Sequence, residues 1–381
     1  MAQVLNRPMR SRQNDRGKRM QLSAAVRGFD PILVVLTILL SSFGVLMIYS
    51  ATRDTQQAAG LPPALYPTKQ IVFIGLGVLA MFLVASIDYR TLLDLSPAMY
   101  AGSLVLLVAV LFTGEINGAR AWFSIGQFQL QPAEFTKIVL ILALAAYGGA
   151  QRNQLDGHRV RVMVAIAALP IVLVFIEPDL GGAFVYGVIL LAILWVAGAT
   201  ARQMSGFFVL GITVAVLTVR FGILKGYQVT RLTSFFGTPV YHVKNSKIAI
   251  GSGGVTGRGL FAGSQTKFGY VPERHTDFIF SVVGEQLGVI GAALLLFGLG
   301  LLCWRMIRIA IQARDTAGTL IVTGALALFV FQIFENVGMT MQLMPVTGIP
   351  LPLVSYGGSS TIMEFMALGL VLNVNRHRYR S

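Results

Sequence analysis

The chain has 381 residues, 55% of them hydrophobic and only 12% charged, and its 30 lysines and arginines outnumber its 16 acids for a net charge of +14. Apolar runs long enough to cross a bilayer recur throughout, which excludes an ordinary soluble domain. A single cysteine, Cys303, excludes internal disulfides and any cysteine-based metal site.

Residues 1–29 are a basic arm carrying Arg7, Arg10, Arg12, Arg16, Lys18, Arg19 and Arg27. The apolar run behind it is span-length and lacks a small-residue cleavage pattern. The arm therefore reads as a topology determinant in contact with membrane lipid; neither a cleavable signal peptide nor a nucleic-acid partner is expected. Ten spans follow, near 30–50, 69–87, 95–113, 132–150, 162–177, 179–198, 204–221, 278–304, 317–337 and 354–374. All are predicted helical, because without closed strand alternation a chain satisfies its backbone in lipid only as helices. The fold class is thus an all-α polytopic membrane protein, with a membrane domain over 30–375 and a short tail, 376–381. With both termini cytoplasmic, the arm, Arg90, Arg152, Arg159, Arg161, Arg202, Arg305, Arg308, Arg314, Arg376, Arg378 and Arg380 all fall inside, the pattern that orients membrane helices.

Polar motifs interrupt this apolar background. In GARAWFSIGQFQLQPAEFTK, 118–137, Pro132 reads as the first residue of the fourth helix, placing Glu134 in its first turn and Lys137 three residues on. A first-turn acid answers the helix dipole, but Lys137 lies inside the apolar run, where an unneeded lysine is expensive, so the two read as a functional pair. Trp122 is either an interfacial belt residue or part of the same site. EPDLGGA, 177–183, sets Asp179 at the start of the sixth span, with helix capping as its default role.

Between the seventh and eighth spans lies an external loop, 222–276, which breaks the positive-inside pattern with Lys225, Arg231, Lys244, Lys247, Arg258, Lys267 and Arg274. A cationic outer loop rich in aromatic and β-branched residues implies an ordered segment and an anionic partner such as diphosphate or a lipid headgroup. Its glycines, Gly251, Gly253, Gly254, Gly257, Gly259 and Gly263, either form a backbone nest for phosphate or allow close packing of a re-entrant segment. They lack the spacing of a nucleotide P-loop, and no nucleotide is expected.

The loop ends in GYVPERHTDFIF, 269–280, which puts Asp277 directly before the eighth span. A carboxylate at the membrane edge caps a helix, pairs with a cation or does chemistry. MTMQLMPVTGIPLPLVSYGGSST, 339–361, then carries irregular backbone into the tenth span, tolerated at membrane depth only where protein or a water-filled cavity surrounds it. With the termini inside, the fourth, sixth, eighth and tenth helices all present their positive N-terminal ends outward. If gathered around one cavity, these ends make an outward-facing anion site with Asp277 at its edge.

WFSIGQFQLQPAEFTK, EPDLGGA, AIGSGGVTGRGL, VPERHTDFIF and PVTGIPLPLVSYGGSS, in this order from about residue 30 to 375, closely resemble the SEDS family of shape, elongation, division and sporulation proteins. HTDFIF with GMTMQLMPVTGIPLPLVSYGG is more similar to the elongation (RodA) branch than to the division (FtsW) branch. The resemblance implies a peptidoglycan glycosyltransferase that polymerises lipid II on the outer face of the bacterial plasma membrane during cell elongation. It also implies a class B penicillin-binding protein as transpeptidase partner and contact with the elongation machinery. Carried over, the catalytic acid falls on Asp277, the essential tryptophan on Trp122 and the polar pair on Glu134 and Lys137. Gln286 stands where a second acid is usual after Glu285, and His242–Asn245 replace a stretch usually richer in glutamine.

Joining two such donors with inversion asks for one general base and a cationic clamp on the leaving diphosphate, not the paired carboxylates of a hydrolase. Asp277 is the expected base; Lys137, Arg231, Lys267 and Arg274 are the expected clamp. A divalent cation, Mg or Mn, held by Asp277 or Glu273 is a candidate cofactor, and His275 is either incidental at the interface or a residue that orients the site. The rival readings are a lipid II flippase, which should carry charge at the bilayer midplane, whereas the membrane charges cluster at the outer ends with Glu364, read as a hydrogen-bonded bundle carboxylate, as the exception, and a non-catalytic scaffold, which leaves the cationic loop unexplained.

Overall fold

The computed structural model describes residues 30–115, 119–126, 128–149, 155–221, 237 and 241–378. The basic arm, Arg152, Lys225, Arg231 and the last three residues of the tail lie outside the described residues.

The described chain begins with α1 (Pro31–Ala58), α2 (Leu65–Ser86) and α3 (Tyr89–Val110), followed by a hairpin of β1 (Phe123–Ile125) and β2 (Phe128–Leu130). Then come α4 (Pro132–Gly149), α5 (Gly157–Ile176), α6 (Leu180–Val196) and α7 (Ala201–Arg220). Within the loop 222–276 lie α8 (Tyr241–Gly253) and α9 (Ser264–Lys267), and α10 (Ile279–Ile311), α11 (Thr316–Thr340) and α12 (Gly358–His377) complete the bundle. Aspartates start many of these helices: Asp30, Asp88, Asp156, Asp179 and Asp315 each accept a first-turn amide.

Among the described residues, seven helices, α1 to α5 together with α10 and α11, are long and apolar enough to cross a membrane. At Leu180–Val196, α6 is apolar but shorter. The polarity of α12 has a packing cause. Its Glu364 and Asn373 are buried within the protein, and it lies so close to α2 that a Cβ on Gly369 would stand 2.6 Å from the Met81 carbonyl oxygen. Protein, not lipid, surrounds those polar groups, so they need not be excluded from the span.

The eighth predicted span is not one helix. At Gly288 the backbone of α10 leaves helical geometry, with φ 64° and ψ −163°, a conformation that favours glycine. A break frees main-chain groups that lipid cannot satisfy, and the glycine-rich part of the loop 222–276 satisfies them. Arg258 N and Gly259 N donate to the carbonyls of Glu285 and Gln286, both at 3.0 Å, while Val289 N and Ile290 N donate to Gly254 O and Val255 O at 3.0 and 3.1 Å. Such backbone-to-backbone contact demands small residues: a Cβ on Gly257 would lie 2.1 Å from the Gln286 carbonyl oxygen. Of the two readings of these glycines, close packing of a re-entrant segment is the one the hydrogen bonds describe. Glu285 and Gln286 serve the same junction, Glu285 accepting from Gln265 N, Thr266 N and Thr266 Oγ1 at the start of α9, and Gln286 from Ser50 Oγ and Phe261 N.

Candidate functional site

A cavity of about 600 Å³ opens at one end of the bundle. Its walls come from the hairpin with Trp122, the N-terminus of α4 with Glu134 and Lys137, and the N-terminus of α6 with Asp179. The segment ahead of α10, with Glu273 and Asp277, and the irregular segment running into α12 complete it. The four helix starts expected around one cavity therefore share one, and six of the predicted site residues line it: Trp122, Glu134, Lys137, Asp179, Glu273 and Asp277.

Local folding explains how each arrives there. Phe123 pairs with Leu130 and Ser124 with Gln129, and Gly126, at φ 63°, turns the hairpin that carries Trp122 back to the start of α4. Proline at the first position of α4 leaves Glu134 and Lys137 on one face three residues apart, with Lys137 Nζ 2.6 Å from Glu134 Oε1. The Lys137 and Glu134 side chains are only 3% and 9% exposed, and Glu134 Oε2 has no hydrogen-bond partner among the described residues. Asp179 caps α6 through Gly182 N at 2.7 Å and also accepts from Gln131 Nε2 at 3.2 Å, so capping and cavity lining coincide in one side chain. Ser359, at the start of α12, accepts from Gln131 N and donates to Gln129 O, fastening the hairpin to the tenth predicted span.

Asp277 sits two residues ahead of α10, and the backbone around it is anchored from across the cavity. The carbonyl of His275 accepts from Tyr356 N at 2.8 Å, that of Thr276 from Ser355 Oγ at 2.6 Å, and that of Asp277 from Asn336 Nδ2 at 2.7 Å. Glu273 is exposed, its backbone at φ 48°, with its carboxylate accepting from Thr276 Oγ1. His275 packs against the rings of Tyr66 and Tyr356, with centroids 4.7 and 5.6 Å away, and burial pushes its imidazole below the usual histidine range.

Of the cationic clamp expected from the outer loop, neither Arg274 nor Lys267 lines this cavity. Arg274 is buried and faces α1, donating from Nε to Ala51 O at 2.6 Å and from Nη2 to Thr55 Oγ1 at 2.9 Å. Its charge locks the loop to a helix. Lys267 is exposed at the end of α9 and does not line the cavity, and Arg231 lies outside the described residues. Lys137 is thus the one basic side chain among the described lining residues. Nor do the described residues hold a cage of three or more histidine, cysteine or carboxylate ligands for a metal. Asp277 and Glu273 supply two carboxylates on one cavity, enough only for an ion such as Mg that completes its shell with water and substrate phosphate.

Sequence reasoning passed over Gln131, Thr347, Ser355, Tyr356, Ser359 and Asn336. The signal for Asn336 was available, since an asparagine within an apolar span is costly unless its amide finds partners.

A helical membrane bundle whose helix N-termini wall a polar cavity, with one buried lysine and several carboxylates, is the class that fold and site define. The family model FTSW_RODA_SPOVE, described as cell cycle protein, matches residues 31–380. Stage V sporulation protein E of Bacillus subtilis is 34% identical over 359 residues, 91% of this chain and 97% of that protein. Peptidoglycan glycosyltransferase MrdB of Escherichia coli is 33% identical over 356 residues, 92% of this chain and 94% of that protein. A solved structure described as structural coordination of polymerization and crosslinking by a peptidoglycan synthase complex aligns with a TM-score of 0.78 at 33% identity, covering 93% of this chain and 99% of that one. The chain belongs to the FtsW/RodA/SpoVE family.

Proposed function

We propose that the chain is a peptidoglycan glycosyltransferase of the elongation type, polymerising lipid II into β-1,4 glycan strands. In this reading ten helices, with α6, α7 and α12 added to the seven long apolar ones, span a bacterial plasma membrane. Both termini are cytoplasmic, the cavity opens outward, and a class B penicillin-binding protein is the crosslinking partner. The observation that carries the reading is the cavity itself, which sets Asp277 and the buried Lys137 on the same walls as the N-termini of α4, α6 and α12. The names of the relatives above support the activity.

The chemistry follows from these groups. The 4-hydroxyl of the acceptor sugar attacks the anomeric carbon of the donor, a new C–O bond forming as the bond to the diphosphate oxygen breaks, with inversion from α to β. Asp277 accepts the hydroxyl proton. Lys137 and the amides at the start of α12 hold the departing undecaprenyl diphosphate, where negative charge grows along the reaction coordinate. Trp122 offers an aromatic face to a sugar. A divalent cation, Mg or Mn, at Asp277 and Glu273 would neutralise further charge on the leaving group.

A flippase is the weaker reading, because Glu364, the deepest carboxylate of α12, has a structural role. Its Oε2 accepts Leu353 N at 2.8 Å and pins the segment lining the cavity. The test is polymerisation of fluorescent lipid II by purified protein. Asp277→Asn keeps size and removes basicity, so it should abolish glycan product with membrane insertion intact. An Asp277→Asn protein that retains most of its activity refutes the assignment.

A further inference from the structure

We propose that Asn336 of α11, assisted by Ser355, is a positioning residue for Asp277; this rests on the reading of Asp277 as the base. Asn336 is fully buried, and its Nδ2 uses both hydrogens: one donates to the carbonyl of Asp277 at 2.7 Å, the other to the carbonyl of Ile349 at 2.8 Å. Asp277 and Ile349 line the same cavity on different chain segments. One amide group therefore fixes the distance between the residue bearing the carboxylate and a wall against which substrate must lie.

The neighbouring carbonyls show that this is a built support. Residues 275, 276 and 277 precede α10, and their three successive carbonyls accept from Tyr356 N, Ser355 Oγ and Asn336 Nδ2. Ser355 Oγ in turn accepts Leu351 N at 2.9 Å, so the hydroxyl joins the two sides as the asparagine amide does. An aspartate side chain is short. Its carboxylate follows its own backbone closely, and a backbone shift of about 1 Å at a reacting group costs about 10²-fold in rate. The helix that follows is held separately, by its packing against α1, α8 and α11.

The experiment compares Asn336→Ala, Ser355→Ala and Asp277→Asn as full chains, with kcat and KM for lipid II normalised to folded protein and the pH profile of kcat recorded. Asn336→Ala should lower kcat about 10²-fold with KM little changed. Ser355→Ala should lower it in the same direction by less, and in both the acidic limb of the profile should move, because the general base has changed surroundings. Native kcat per folded molecule in Asn336→Ala and Ser355→Ala, with Asp277→Asn inactive, overturns the positioning role and leaves the base standing. An active Asp277→Asn overturns the base itself. Where Asn336→Ala does not fold, Ser355→Ala decides: a native kcat and pH profile there overturn the proposal, and a reduced kcat with unchanged KM supports it.

Discussion

Replacing Lys137 by methionine separates structural from chemical need at the cavity. In the native protein its ammonium lies 2.6 Å from Glu134 Oε1, with both side chains nearly excluded from solvent. Removing it leaves one carboxylate oxygen without its cation, while the other already lacks a partner among the described residues. An uncompensated charge in such a place destabilises by about 3–5 kcal/mol, and Glu134→Gln should cost a similar amount by stranding the ammonium. The double replacement, Glu134→Gln with Lys137→Met, removes both charges at similar volume and should return close to native stability. Turnover should not return with it. A donor aimed at the leaving group contributes about 10²–10³-fold, so the double variant should remain that far below the native kcat. Thermal unfolding in detergent and steady-state lipid II polymerisation on the four proteins complete the cycle. A double variant that regains both stability and rate would show that Lys137 does no more than neutralise Glu134.

Arg274→Gln should behave as a fold mutation, not a substrate mutation: about 1.5–3 kcal/mol is lost for each charge-assisted bond to Ala51 and Thr55, with KM for lipid II unchanged in the folded fraction. A raised KM at native stability would return Arg274 to the diphosphate. Gly257→Ala, which combines a backbone at φ 81° with a Cβ 2.1 Å from the Gln286 carbonyl oxygen, should cost at least about 1–3 kcal/mol and loosen the loop, visible as faster amide exchange at Arg258 and Gly259. Burial between two tyrosines lowers the pKa of His275, so the unfolded chain binds more protons than the fold as pH drops through the ordinary pKa of about 6.5. Native stability should therefore fall, relative to His275→Phe, as pH drops from about 6.5, and equal pH dependence of the two melting curves would contradict this.

Local rules made much of this molecule legible. Pro132 and Asp179 announced helix starts by their own chemistry, and a dipole argument about alternate spans was enough to expect four N-termini on one cavity. What remained hidden depends on partners far away in the chain. Nothing local distinguishes an arginine waiting for phosphate from Arg274, whose acceptor, Ala51, is 223 positions distant. The glycines of the outer loop were equally ambiguous, since their partners are carbonyls released by a break at Gly288 that an apolar run gives no reason to expect. Asn336 was passed over because polar residues in a span draw notice by charge, and a neutral amide carries none.

The interruption of α10 has a mechanical consequence. A continuous helix would oblige the Asp277 end to tilt and turn with the membrane-embedded shaft below it. Cut at Gly288, the short stub from Ile279 to Leu287 is clasped instead by the loop between α8 and α9, through backbone bonds on both sides of the cut. The stub rides with the loop as much as with the shaft. Because the same loop also bonds Val289 and Ile290 beyond the cut, it splints stub and shaft at a fixed angle, and the pose of the Asp277 end is set by the loop as well as by the long helix below it.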